Sequence, residues 1–575
     1  MFCGVFSETF RWQSVETGDV VATEQDIGGE PSFAIEPGRN INIMTDHVFR
    51  VNQVGYAVSL PKRVTVLREG TVNVYDESGR VIRKIDTGAL RFDECTGDTA
   101  ATVDLGDLPA GRYMLELDGV RRAVTVSEKP YSDLVRALIK GLYYQRCGTE
   151  LKPEHAGRWT HPACHTAQAR LYTDPDILMN VQGGWHDAGD YGKYIGPGAV
   201  TVGHMLYAYL LFPTASLDGL NIPESGNGVP DILNEVRYEL EWMLKMQQED
   251  GAVFHKLTTK RFAAFVMPEE DRDTEYVMPA GQCAAAAFAA CMALASRVWK
   301  QYDSGFSART LDAAVRARDW LERNPELIPW KNPDDVHTGG YGDDCMTDEL
   351  FWADCELYAA TEDERYAAEL ESLAGQIDIA QMGWRDVGGL GSLCCFFELD
   401  GKLNPDFLKL LQERFFRAAD RAVNTAVQSA YGTALGNREY IWGSNLTVMS
   451  RAMLLICAWK LFGNRNYLYE AAGQLNYLLG LNALDVCFVT GFGTNPFMHP
   501  HHRPSAADGI DDPVPGLVSG GPNNRYTYGI TKEKLPPDIP PARSYLDETP
   551  SADTNEIAIY WNSPAIFAAA CLDTL

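Results

Sequence analysis

Between about Val48 and Val126, apolar and polar positions alternate with a two-residue period. Arg63-Val-Thr-Val-Leu-Arg68 is rich in β-branched residues, and Thr71-Val-Asn-Val-Tyr75 keeps the alternation. Asp76-Glu-Ser-Gly79 then supplies a turn before Val81-Ile-Arg-Lys-Ile85. Gly111-Arg-Tyr-Met-Leu-Glu-Leu117 runs through Asp118-Gly119 into Arg122-Ala-Val-Thr-Val126, the signature of a hairpin. These short strands predict a small antiparallel β-sandwich over 46–128. From Ser132 the period lengthens, with Leu134, Val135, Leu138, Ile139 and Leu142 on one helical face. Pro230 opens a helix with Ile232, Leu233, Val236, Leu240, Met243 and Leu244 on its apolar side, and Asp231 favours its dipole from the first turn. The Ala-rich stretch Gly281–Trp299 reads as a tightly packed helix. Others are expected near 308–323, 348–360, 364–380, 406–429, 445–462 and 466–479, and a last one around 563–570. Residues 132–575 are therefore mainly α, as helices joined by long loops. Residues 1–45 stay unplaced, with Gly28-Gly29 and Pro37-Gly38 indicating loop.

A chain of 575 residues is large enough for more than one domain. Its 78 acidic against 50 basic residues give a net charge of −28. That balance argues against a nucleic-acid partner, which needs clustered Lys and Arg. It suits a neutral substrate and would attract a cationic one. No run approaches the ~18 uninterrupted apolar residues of a membrane span, so no membrane partner is expected. Residues 1–40 lack a basic stretch followed by an apolar one, and the expected location is the cytoplasm. Thirteen cysteines, Cys394 and Cys395 adjacent among them, fit a reducing compartment in which some thiols are free to bind metal.

Three strings carry chemistry. Gly183-Gly-Trp-His-Asp-Ala-Gly-Asp-Tyr-Gly-Lys193 sets Asp187 and Asp190 among four glycines and several aromatic rings, with Trp185, Tyr191 and Tyr194 offering flat faces to a sugar. Glycines there let a ligand approach the backbone closely. Asp553-Thr-Asn-Glu-Ile-Ala-Ile-Tyr-Trp-Asn-Ser563 places Glu556 before an apolar run, where desolvation raises a carboxyl toward a useful general acid. Gly491-Phe-Gly-Thr-Asn-Pro-Phe-Met-His-Pro-His-His-Arg503 offers imidazoles and a guanidinium to hydroxyl-rich ligands. Taken singly, each also reads as an ordinary acidic loop, helix start or polar loop.

In this order, the strings resemble glycoside hydrolase family 9. Tyr341-Gly-Asp343, Asp348-Glu-Leu-Phe-Trp352, Trp442-Gly-Ser-Asn445 and Gly520-Gly-Pro-Asn523 add to the match. Val51-Asn-Gln-Val-Gly-Tyr56, with the leading strands, is similar to the immunoglobulin-like module that often precedes the catalytic domain in this family. The resemblance covers about 46–575 and implies an (α/α)6 barrel. It also implies an inverting mechanism, with Asp190 as base, Asp187 helping to hold the water and Glu556 as acid. His501, Arg503, Tyr191 and Trp442 are the implied substrate contacts. One position departs from the pattern: the aromatic residue usual four places before the acid is Ala552 here. The implied substrate is a β-1,4-linked glucan, as cello-oligosaccharide or soluble β-glucan, and the alternative is an exo-β-D-glucosaminidase acting on chitosan oligosaccharides. No organic cofactor is expected.

Metals follow from the same comparison. Cys147, Cys164, His165 and His186 supply two thiolates and two imidazoles, a set suited to tetrahedral zinc. Their spacing matches a structural zinc site in the immunoglobulin-module branch of the family. Asp344, Asp348, Glu349 and Asp386 offer hard oxygen ligands and resemble positions that bind calcium in some members. Solvated acids at a helix start are the plain alternative.

Overall fold

The computed structural model describes residues 48–575; the unplaced stretch 1–45 lies outside them. The alternating region folds as expected into nine short strands: β1 (Phe49–Arg50), β2 (Tyr56–Ala57), β3 (Arg63–Val66), β4 (Thr71–Tyr75), β5 (Val81–Asp86), β6 (Arg91–Asp93), β7 (Asp98–Asp104), β8 (Gly111–Leu117) and β9 (Val120–Ser127). They form two sheets, in the orders β1-β3-β7-β6 and β2-β9-β8-β4-β5. Pairing is antiparallel except between β2 and β9, which run parallel. The β8–β9 turn places Asp118 at φ 50 and Gly119 at φ 82, the left-handed pair a two-residue hairpin requires. Val64, Val66, Val72, Val74, Leu115 and Leu117 are fully buried between the sheets.

Among the described residues, twelve helices of seven residues or more build the second domain. They are α1 (Ser132–Tyr143), α2 (Ile195–Leu211), α3 (Asp231–Lys245), α4 (Gln282–Trp299), α5 (Ser304–Arg323), α6 (Thr347–Thr361), α7 (Leu370–Gln376), α8 (Gly388–Phe397), α9 (Pro405–Gln428), α10 (Ser444–Phe462), α11 (Arg465–Leu478) and α12 (Ile559–Asp573). The even-numbered six close a ring, each touching the next and α12 returning to α2. The odd-numbered six pack outside it. Burial patterns follow this division: every residue of α12 is buried, whereas α5 buries only one stripe running from Phe306 to Leu321. This is an (α/α)6 barrel. Helices α4 and α10 are long enough and, at a mean hydropathy of 1.2, apolar enough to cross a membrane, but 89% of α4 is buried inside the domain. Both are inner-ring core helices.

Helices α2 and α8 have no counterpart in the sequence reading, and three further features differ from it. The stretch 364–380 is not one helix but a single turn followed by α7. Helix α12 starts at Ile559, ahead of the expected 563, and accommodates Pro564 in its second turn. A third difference bears on the site. Five short strands, β10 (Ala169–Leu171), β11 (Asp174–Met179), β12 (Lys193–Tyr194), β13 (Lys256–Thr258) and β14 (Tyr276–Val277), form a sheet in the order β11-β10-β14-β13-β12. It ties the end of the Asp187/Asp190 loop to the strand bearing Lys256.

The sandwich is fastened to the barrel by polar contacts. Arg63 pairs with Glu470 at 2.8 Å, Arg122 with Asp485 at 3.1 Å, and Asn52 Nδ2 donates to Asn476 Oδ1 at 2.8 Å.

Candidate active site and metal centre

Backbone pairing brings the three strings together. Ala188 bridges Ala558, His501 bridges Glu556, and the Ile559 amide donates to the Asp187 carbonyl at 2.8 Å. The close approach explains Gly189: a Cβ there would lie 1.9 Å from the His501 carbonyl oxygen. Asp190 and Glu556 border one cleft of about 580 Å³, walled by Tyr194, Trp384, Trp442, His501, Arg503, Tyr528 and Tyr560.

The carboxyls differ in their surroundings. Burial pushes Glu556 well above the usual carboxylate range, and the charges of Asp190 and Asp187 push it further. Burial also raises Asp190, but Arg503, the Gly192 amide at 3.0 Å and Lys256 oppose the rise. Asp187 is 1% exposed. Its Oδ2 accepts from the Tyr341 hydroxyl at 2.5 Å, while Oδ1 has no protein partner and is available to a water. A carboxyl raised well above its usual range and a second whose rise is opposed by cations, on one cleft, are the elements of general acid–base catalysis.

The expected contact residues divide. Arg503 is fixed by Nε to the Ala263 carbonyl (2.8 Å) and Nη1 to the Gly189 carbonyl (2.6 Å), and lies over the rings of Phe262 and Phe265. His501 donates from Nδ1 to the Thr549 carbonyl at 2.7 Å. Burial lowers its pKa to about 4, so the ring is neutral and Nε2 remains an acceptor for a sugar hydroxyl. Trp442 is 40% exposed on the cleft wall. Tyr191 does not line the cleft: its hydroxyl donates to the Val266 carbonyl at 2.6 Å and its ring packs on His165 and His186. Trp185 is buried as well, its Nε1 donating to Glu235 at 2.8 Å. Of the three rings read as sugar platforms, only Tyr194 lines the cleft. The sequence reading missed the roles of Phe262, Trp384, Tyr528, Tyr560 and Lys256. Tyr560 stood inside the Asp553–Ser563 string, and Trp384 lies two residues before Asp386; the others had no local signal.

Behind the catalytic loop, one ligand atom each from Cys147, Cys164, His165 and His186 lies within 4.8 Å of all the others. The donor set fits a metal. His165 Nδ1 and His186 Nε2 are buried with no hydrogen-bond partner, and His165 Nε2 lies 3.5 Å from Asp271 Oδ2, the outer carboxylate that orients a ligating imidazole. Lys193 Nζ sits 3.4 Å from Cys147 Sγ and offsets thiolate charge. The expected calcium quartet does not assemble. Asp344 is turned to solvent, its side chain 83% exposed and facing Arg385 at 3.8 Å. Asp343 takes the inward position; burial raises the pKa values of Asp343, Asp348, Glu349 and Asp386, the last to about 7, and the Asp348 charge adds to the rise at the other three.

Residues 131–569 match glycosyl hydrolase family 9, and 45–122 match the cellulase N-terminal ig-like domain. A cellodextrinase of Butyrivibrio fibrisolvens is 35% identical, covering 90% of this chain and 98% of the relative. The solved structure of AaCel9A in complex with cellobiose-like isofagomine superposes with a TM-score of 0.87 at 34% identity, over 92% of this chain and 100% of that one. The Zn-binding triple mutant of the family 9 endoglucanase J30 superposes at 0.83 and 30% identity, over 90% and 99%. The protein is a glycoside hydrolase, and its chain belongs to glycosyl hydrolase family 9 with an immunoglobulin-like N-terminal domain.

Proposed function

We propose that the protein hydrolyses β-1,4-glucosidic bonds of cello-oligosaccharides or soluble β-glucan with inversion. Glu556 is the acid, Asp190 the base, and Asp187 holds the water. The observation that carries this reading is the unequal treatment of the carboxyls. Glu556 is kept protonated by burial and by its acidic neighbours, Asp190 is offset by Arg503, and Asp187 is held by Tyr341. Inversion needs the acid and base ~6.5–9.5 Å apart, with the attacking water on the base side. The acid protonates the departing oxygen as the base takes the water's proton, with no covalent intermediate. A cellodextrinase relative and a bound cellobiose-like inhibitor in a related structure support glucose units. Against the glucosamine alternative, the only acids among the described cleft-lining residues are Asp190 and Glu556. Both are taken by the chemistry, leaving none to read an ammonium.

The metal at Cys147, Cys164, His165 and His186 is zinc in this reading. Four protein ligands leave no position for substrate, so its part is to brace the loop that continues from His186 into Asp187. Asp343, Asp348, Glu349 and Asp386 are the oxygen ligands this reading assigns to calcium. The twelve free cysteines among the described residues fit action in the cytoplasm.

Glu556→Gln and Asp190→Asn test the roles. Each is expected to fold and to lose ~10²–10⁴-fold in turnover on cellotetraose. An aryl glycoside with a good leaving group rescues Glu556→Gln but not Asp190→Asn. Equal rescue of both would show the roles to be misassigned.

A further inference from the structure

We infer that Lys256 is a positioning residue for the base side of the reaction, pinning the Thr338–Tyr341 strap and setting a positive charge behind Asp190. The inference rests on Asp190 being the base.

Lys256, on β13, is 0% exposed. Its Nζ donates to the Gly339 carbonyl at 2.6 Å, Asn332 Oδ1 at 2.8 Å and Thr338 Oγ1 at 3.3 Å. Three acceptors match the three N–H groups of an ammonium, one more than a neutral amine could serve. Among the described residues no carboxylate lies within 4 Å of it. A buried cation with only neutral partners is costly for the fold, and an apolar side chain would avoid that cost. The charge therefore has another use.

Two structural consequences indicate that use. The first is the strap. The residue before Lys256, His255, donates from Nε2 to the Gly340 carbonyl at 2.8 Å and stacks on Trp330 with centroids 4.2 Å apart. His255 and Lys256, at the entry to β13, thus hold Thr338, Gly339 and Gly340. The next residue, Tyr341, sits at φ 47, a left-handed conformation costly for a tyrosine, and donates to Asp187. The pinned strap aims that hydroxyl. The second consequence is electrostatic. Nζ lies 5.4 Å from the Tyr194 ring centroid, and the Tyr194 hydroxyl is 3.5 Å from Asp190 Oδ2. The groups interacting with Asp190 are the acids Asp187 and Glu556, the hydroxyls of Tyr194 and Tyr560, and two cations, Arg503 and Lys256. Arg503 is on the cleft wall and available to substrate, which leaves Lys256 as the cation whose only role toward Asp190 is electrostatic. Burial brings the Lys256 pKa down to about 7, and Asp190 opposes that fall.

The test is Lys256→Met in the full chain, assayed on cellotetraose from pH 4 to 9. Removing a cation raises the pKa of the neighbouring carboxyl, so the base is lost at a higher pH. The acid limb of kcat/KM is expected to move up by about one pH unit. kcat should fall roughly 10- to 100-fold with KM within threefold, since Lys256 does not line the cleft. If Lys256→Met fails to fold, Asn332→Asp places a carboxylate against Nζ, screens it from Asp190 and should move the acid limb the same way. An unmoved acid limb, or a loss carried wholly by KM, overturns the inference. Wild-type turnover by Asp190→Asn would overturn the base reading and this inference with it. An inert Asp190→Asn beside an unmoved Lys256→Met limb overturns the inference alone.

Discussion

Tyr341→Phe removes one oxygen atom and leaves the ring packed on Tyr194 (4.5 Å) and Trp384 (5.0 Å). The lost contacts are the 2.5 Å hydrogen bond to Asp187 Oδ2 and the 3.1 Å hydrogen bond with the Tyr560 hydroxyl. A hydrogen bond to a charged group contributes about 1.5–3 kcal/mol. At about 1.4 kcal/mol per factor of ten, that is roughly 10- to 150-fold in rate. The upper half of the range is expected. Asp187 Oδ1 has no protein partner already, so the variant leaves a buried carboxylate free to turn away from the water it holds. Because neither the lost hydroxyl nor Asp187 binds the sugar in this reading, the loss falls on kcat. Steady-state kinetics on cellotetraose, with circular dichroism to verify the folded fraction, measures it. A loss under threefold, or one carried by KM, would refute the assignment of Asp187 as the water holder.

Three more outcomes follow from the site. Product observed by NMR at early times is the α-anomer, and initial β-anomer would exclude inversion. Washed protein carries about one zinc per chain; Cys164→Ser releases it and lowers the melting midpoint more than it lowers kcat in the folded fraction, because the ligands are gathered only in the native state. Metal-free protein of unchanged stability would refute the site. Glu556 acts as an acid with a raised pKa, so activity is full below that pKa and falls as pH rises through it. Since the Trp442 indole, on the same cleft, holds that pKa down, Trp442→Phe moves the alkaline limb of the pH–rate profile upward by roughly half a unit, and a downward or absent shift would refute the influence of Trp442 on Glu556.

How much of this was legible in the sequence depended on whether a signal was local. The sandwich strands and the amphipathic outer helices were readable because each has one wet and one dry face, which writes a period into the chain. Inner helices α2 and α8 are dry nearly all round and carry no such period. Helix α2 opens Ile195-Gly-Pro-Gly198, which reads as a turn, yet its Pro lies in the first turn, where a missing N–H costs nothing. The carboxylates were legible because glycines and aromatics crowd around them. Lys256 was not: its partners Asn332, Thr338 and Gly339 are more than 75 residues away, and a lysine in a three-residue strand looks like any surface lysine. Tyr191 misled for the opposite reason, since its neighbours in sequence are the proposed catalytic carboxylates while its ring packs on His165 and His186.

The position of Ala552 bears on which substrates the cleft admits. An aromatic residue usual in this family stands four places before the acid, on the acid's own segment. Here the small side chain of Ala552 borders the cleft beside Tyr528 and Trp442. Those two rings are 47% and 40% exposed, with centroids 5.7 Å apart and planes tilted by 41°. The Tyr528 amide donates to Asp553 Oδ2 at 3.1 Å, which ties its loop to the residue next to Ala552. The aromatic wall near the acid is therefore carried by two other segments, one following Gly520 and one leading into α10. A ring stacked on a flat ligand contributes about 1–3 kcal/mol, enough to set which sugar unit is gripped without altering the carboxyls. Placing that grip on connecting segments separates specificity from chemistry. The acid segment holds Glu556 in register with His501 and Ala188, whereas the Tyr528 ring reaches the cleft from a loop outside that register, anchored to it through Asp553.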